Sequence, residues 1–185
     1  MPAGIPEAVR RELLHLARRA VTTYLAEGRV LRKGRDYSPV AEEPRGAFVT
    51  LHTRQGELRG CIGTILPAGP LDETVCRMAV AAAVEDPRFP PVTLGEAPSL
   101  RFEISALTVP EPVPDPAAIQ VGRHGLIASR GGRKGLLLPQ VAPEWGWDRR
   151  EFLEHTCRKA GLPPDAWKDP ATRLEWFEAE VWGEE

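Results

Sequence analysis

The densest chemistry in this 185-residue sequence lies in Leu58-Arg59-Gly60-Cys61-Ile62-Gly63-Thr64. Arg59 precedes Cys61 by two residues, which places both side chains on one side of an extended chain. A neighbouring guanidinium favours the thiolate, the nucleophilic form of cysteine. Two glycines inside a strand-like run weaken it and mark a bulge, or a close approach by a ligand or another backbone. Thr64 and the amides beside Gly60 and Gly63 are candidates to bind an oxyanion, and His52, a diagonal cross-strand neighbour, is a candidate to move protons. Free cysteine is also a common small core residue, so a packing role for Cys61 stands open beside the catalytic one.

Other groups join this list. His124 sits between glycines in Gly122-Arg123-His124-Gly125, just ahead of a strand-like run, and loops hold functional groups disproportionately. Glu103 falls on the polar side of an alternating segment, and Asp86 and Arg88 flank Pro87. Cys76 and Cys157 lie in helical segments among small or apolar neighbours and read as structural, while His15 and His155 read as outer-face residues. The three cysteines are far apart, with no C-x-x-C, so neither a disulfide framework nor a zinc site is expected. No phosphate loop, dinucleotide fingerprint, H-E-x-x-H or G-x-S-x-G occurs, and no cofactor or metal is expected.

Composition narrows the partners. With 24 basic and 26 acidic residues the net charge is −2, which gives no field for nucleic acid. No run nears the roughly 20 apolar residues of a membrane span, and Met1 to Pro6 lacks a leader's apolar core; a cytoplasmic protein without a membrane partner is expected. The absence of Asn and the presence of three Gln follow one thermophile trend, and a GC-rich genome produces much of the same bias.

The elements that must position these groups alternate regularly. An amphipathic helix is expected from Pro6 to Glu27, with Val9, Leu13, Leu16, Ala17 and Ala20 at helical spacing and Gly28 as its stop. Gly46–Thr53 and Glu57–Ile65 form a hairpin around Gln55-Gly56. A two-residue turn there sets Arg54 opposite Glu57, His52 opposite Arg59, and Thr50 opposite Cys61. Val49, Leu51, Leu58 and Ile62 then face the core, and Phe48, Thr50, His52, Arg59, Cys61 and Gly63 face away. A helix over Pro70–Val84 and a strand over Leu100–Leu107 follow, then a proline-rich connector over Pro110–Pro116. The second half repeats the order. Gly125–Ser129 and Lys134–Pro139 form a hairpin, Asp148 with Glu151 opens a helix that Gly161 ends, and Thr172–Trp182 closes as a strand. The expected class is α+β: an antiparallel sheet with flanking helices in two lobes, patterned as a β-β-α-β duplication.

Six ordered motifs carry a resemblance. They are Leu58-Arg-Gly-Cys-Ile-Gly-Thr64, Asp86-Pro-Arg-Phe89, Glu103-Ile-Ser105, His124-Gly-Leu126, Leu137-Leu-Pro-Gln-Val-Ala142 and Lys159-Ala-Gly-Leu162. Together they resemble the AMME-syndrome chromosomal-region domain family across nearly the whole chain, with the Arg-Gly-Cys-Ile-Gly core as its hallmark. The resemblance implies a single domain over residues 1–185 with a smaller second lobe. It also implies component A of a prokaryotic system that includes a Memo-like protein and a radical-SAM protein. It transfers no reaction.

Three functions are therefore weighed. The first is an enzyme or enzyme subunit centred on Cys61, with Arg59 stabilising the thiolate, His124 or His52 moving protons, and Asp86, Arg88 and Glu103 around the site. If the two lobes close over the polar face, Cys61 lines a cleft with Arg59, and His124 and Glu103 contribute. The second is a non-catalytic adaptor whose strand glycines admit a partner segment. The third, weaker, is nucleic-acid binding through Arg11, Arg18, Arg59 and Arg88.

Overall fold

The computed structural model describes residues 4–185; Met1–Ala3, the start of the segment read for a leader, lie outside the described residues. The chain divides into two compact units, one through Leu107 with Glu180–Glu185, the other Thr108–Ala179. None of the described helices is long and apolar enough to cross a membrane.

The first unit begins with α1 (Glu7–Glu27), whose Leu13, Leu16, Ala17 and Ala20 are buried as their spacing requires. Gly28 ends it in the left-handed region and donates its N–H to the Tyr24 carbonyl. Strands β1 (Ala47–His52), β2 (Leu58–Thr64) and β3 (Arg101–Leu107) pair antiparallel in the order β2-β1-β3, with helix α2 (Leu71–Val84) connecting β2 to β3. One sheet face holds Val49, Leu51, Phe102 and Ile104, which pack with Leu13 and Ala17 of α1 and Val75 and Ala79 of α2. The chain end returns to this unit, where the Glu184 N–H donates to the Phe102 carbonyl and Arg18 grips the Glu184 carboxylate at 2.6 Å.

The hairpin corrects one expectation and keeps another. Its loop has three residues, Arg54 to Gly56. Thr53 N–H donates to the Glu57 carbonyl, Gly56 N–H to the Thr53 carbonyl, and Gly56 takes φ 85°. That extra residue moves the register by one, so His52 pairs with Leu58 rather than Arg59. A bulge at Arg59 then restores the parity, and Leu51 faces Gly60, Thr50 faces Cys61 and Val49 faces Ile62. Leu58 is consequently exposed instead of in the core.

The second unit contains β4 (Glu111–Pro112), β5 (His124–Arg130), β6 (Arg133–Leu137), α3 (Val141–Trp145), α4 (Arg149–Lys159) and most of β7 (Arg173–Gly183). β7 pairs antiparallel with β4 and β5, and β5 with β6. Asp148 and Glu151 make the reciprocal capping box at the start of α4, with bonds of 2.8 and 2.9 Å. Phe152, Leu153 and Cys157 of α4 pack toward Leu126 and Ala128 of β5. Neither α3 nor β4 carries a periodic signal in the sequence. One is a single turn and a half containing Pro143; the other is a two-residue edge pairing that includes Pro112.

Both units are thus built β-β-α-β. In each, a glycine on the second strand lies under the backbone of the helix that follows. A Cβ on Gly60 would sit 2.1 Å from the Ala82 carbonyl oxygen of α2, and one on Gly135 would sit 2.2 Å from the Ala160 nitrogen at the end of α4.

Candidate functional site

Cys61 lies on the sheet face opposite the first core, half-buried. The hydroxyl of Thr50, its cross-strand partner, donates to Sγ at 3.2 Å. Thr50 also pairs with Glu103 on β3, so Cys61, Thr50 and Glu103 form one row across three strands. The corresponding row of the second unit is Leu136, Ile127 and Glu175. The same frame therefore carries a thiol and a hydroxyl in the first unit where the second has two aliphatic side chains.

The loop after α2 supplies the charges. Asp86, with its side chain 2% exposed, accepts the Cys61 backbone N–H at 2.9 Å. Arg88 folds back over the same carboxylate at 3.0 and 2.7 Å, and its own backbone N–H adds a third bond. The Arg88 bonds, foremost, and that from Cys61 hold the Asp86 carboxyl well below the usual carboxylate range. Arg88 remains more than half exposed and interacts electrostatically with Cys61. Asp86 thus ties the Cys61 main chain to the Arg88 guanidinium.

Arg59 takes a different partner from the one its spacing suggests. The bulge sends its guanidinium to Glu96, which accepts from Nε at 2.6 Å and from a terminal nitrogen at 3.1 Å. This pairing lowers the Glu96 pKa. Arg59 and Arg88 both lie over the Phe89 ring, at 6.0 and 5.5 Å from its centroid. The cation tied to the Cys61 main chain is therefore Arg88, with Arg59 neutralised by Glu96. Nothing in the spacing of Arg59 and Glu96 announces that ion pair.

Two oxyanion donors are already engaged. The Cys61 N–H is held by Asp86, and the Thr64 hydroxyl donates to the Leu66 carbonyl at 3.2 Å. The strand glycines have internal reasons. Gly60 admits α2, and a Cβ on Gly63 would meet the Phe48 ring at 2.2 Å. His52 shares the Cys61 face of β1, two residues beyond Thr50.

His124 belongs to the second unit. It is buried, its ring lies 4.3 Å from that of Trp176, and Nδ1 accepts the Gln120 N–H at 3.1 Å. That bond leaves the proton of the neutral ring on Nε2, 3.9 Å from a Glu178 oxygen. Burial, opposed by Glu178, pushes the His124 pKa down. Its evident work is to close the turn before β5. No cluster of three or more His, Cys, Asp or Glu among the described residues is arranged to hold a metal ion.

Comparison with known proteins agrees with this architecture. The family model AMMECR1 matches residues 14–182. A protein of Thermococcus gammatolerans is 50% identical over 182 residues, covering 94% of this chain and 89% of its own length. One of Methanothermobacter thermautotrophicus is 47% identical over 181 residues, covering 95% of this chain and 94% of its own. The crystal structure of the uncharacterised protein PH0010 from Pyrococcus horikoshii is similar at a TM-score of 0.85 and 47% identity. That match covers 98% of this chain and 94% of the other. The fold, the ordered motifs and these matches place the chain in the AMMECR1 family.

Proposed function

We propose that this protein is an enzyme, or a subunit of one, whose working group is the Cys61 thiol. The observation that carries the reading is the Cys61–Thr50 pair on the non-core face, at positions the second unit fills with Leu136 and Ile127. A frame that packs well with aliphatic residues has no structural need for a thiol held by a hydroxyl. In this reading Thr50 orients the sulfur and Arg88 offsets negative charge on the thiolate. Asp86 fixes both the Cys61 main chain and Arg88. Glu103 and His52, on the same face, are the groups available to carry a proton. The adaptor reading loses its motive, because the close approaches at Gly60 and Gly63 are filled by Ala82 and Phe48.

Resemblance to the family extends the proposal to action in the cytoplasm beside Memo-like and radical-SAM partners. The test is to combine the purified chain with those two partners and follow a small-molecule extract by mass spectrometry. Wild type and Cys61→Ser are compared. The proposal requires a change that wild type produces and the variant does not. The same profile from both chains refutes it.

A further inference from the structure

A second place in the first unit is shaped for a ligand and has no share in the Cys61 site. Between the loop after α1 and the outer side of α2 lies a cavity of about 340 Å³, within the range of small-molecule sites. Val30 and Leu31 give it an apolar wall, and Arg32, Lys33 and Arg77 line it against a single carboxylate, Glu73.

The two arginines differ from most others in the molecule. Lys33 is held by Glu42 at 3.2 Å, with Asp72 at 3.8 Å. Arg32 engages its neighbours through its backbone alone, and Arg77 makes no ion pair with Glu73 one turn earlier on α2; among the described residues neither guanidinium has a partner. Two arginines without side-chain partners thus line one cavity.

We propose that this cavity binds a small organic anion: an apolar body against Val30 and Leu31, with a phosphate or carboxylate group held by Arg32 and Arg77. Guanidinium forks match both oxyanion types in bidentate geometry. Gly69 also lines the cavity, and a Cβ there would meet nothing within 4 Å. A large side chain at this position fills the space without backbone strain.

The experiment titrates the full chain with phenyl phosphate, benzoate and neutral benzyl alcohol, following amide shifts by NMR. Both anions should shift residues around Arg32, Gly69 and Arg77, and the tighter one assigns the anionic group. Benzyl alcohol should bind at least ~10-fold more weakly, and Arg32→Ala and Arg77→Ala should each cost about 10-fold in affinity, the loss of one charge-assisted contact. Arg54→Ala, at the β1–β2 turn, is the charge control and should leave binding unchanged. Gly69→Leu should abolish binding by both anions. If that variant does not fold, the two surface arginine variants decide. Absence of binding at millimolar anion, shifts centred elsewhere, equal binding of benzyl alcohol, or an equal effect of Arg54→Ala would each overturn the proposal.

Discussion

Replacing Gly60 by alanine tests whether the hallmark glycine serves packing or an outside ligand. The new Cβ would stand 2.1 Å from the Ala82 carbonyl oxygen, against an ordinary contact of at least 3.4 Å. Helix α2 must therefore retreat by about 1.3 Å, the difference between those distances. The obstacle is helix backbone, which no rotamer change can move. A gap of that size forfeits much of the attraction along the contact, where Val75, Ala79 and Ala82 are all buried. Overpacking of this kind costs about 1–3 kcal/mol, and the rigid obstacle places Gly60→Ala near the upper end. The lower entropy of the unfolded alanine chain returns less than about 1 kcal/mol. Net destabilisation of about 2–3 kcal/mol is expected in urea unfolding followed by circular dichroism. Gly69→Ala, with no neighbour within 4 Å, should stay within about 0.5 kcal/mol of wild type. A Gly60→Ala protein as stable as wild type would refute the packing account and return the glycine to a binding role.

Further outcomes follow from the same contacts. Gly63→Ala should destabilise by about 1–2 kcal/mol, and Phe48→Ala in the same chain should remove most of that increment in a double-mutant cycle, because the obstacle is the Phe48 ring. Asp86→Asn should cost about 2 kcal/mol in chemical unfolding, discounted because Arg88 is more than half exposed. Because the folded-state pKa of Asp86 is depressed, its contribution is present above the unfolded carboxylate value, near pH 4, and is lost as pH falls below it; acid titration of the melting temperature of wild type against Asp86→Asn reads that slope. His124 has a folded pKa below its unfolded value, with Glu178 opposing and Arg123 assisting. Stability should accordingly decline as pH drops below about 6.5, a slope that His124→Gln should flatten in the same titration.

Periodicity and turn chemistry made most of the fold readable before any coordinates. The 3.6-residue spacing of Leu13, Leu16, Ala17 and Ala20 located α1, and the Asp148–Glu151 pair located the start of α4. The site was readable in part. Alternation of buried Val49 and Leu51 fixes which face Thr50 takes, and so placed Thr50 beside Cys61. Two local events escaped, because a third loop residue and a bulge each shift the register by one and together cancel. Their combined effect stays at the turn end of the hairpin: Thr53 meets Glu57, His52 pairs with Leu58, Leu58 turns outward and Arg59 leaves for Glu96. The Asp86–Arg88 clamp was visible only as neighbouring charges. That Asp86 would reach the Cys61 N–H depends on where α2 ends against β2, which is a tertiary fact.

The most direct test of the thiol account is competitive alkylation of the three cysteines. Limiting iodoacetamide is applied to the native chain, and the labelled peptides are quantified by mass spectrometry against an unstructured cysteine peptide in the same tube. Cys76 is buried, with its thiol pKa pushed up to about 12 by desolvation, and Cys157 is buried with its thiol also raised. These two should label far more slowly than the reference. Cys61 should label several-fold faster than the reference, and Arg88→Ala should slow it. Cys61 labelling no faster than the reference peptide, or with a rate indifferent to Arg88, would contradict the account.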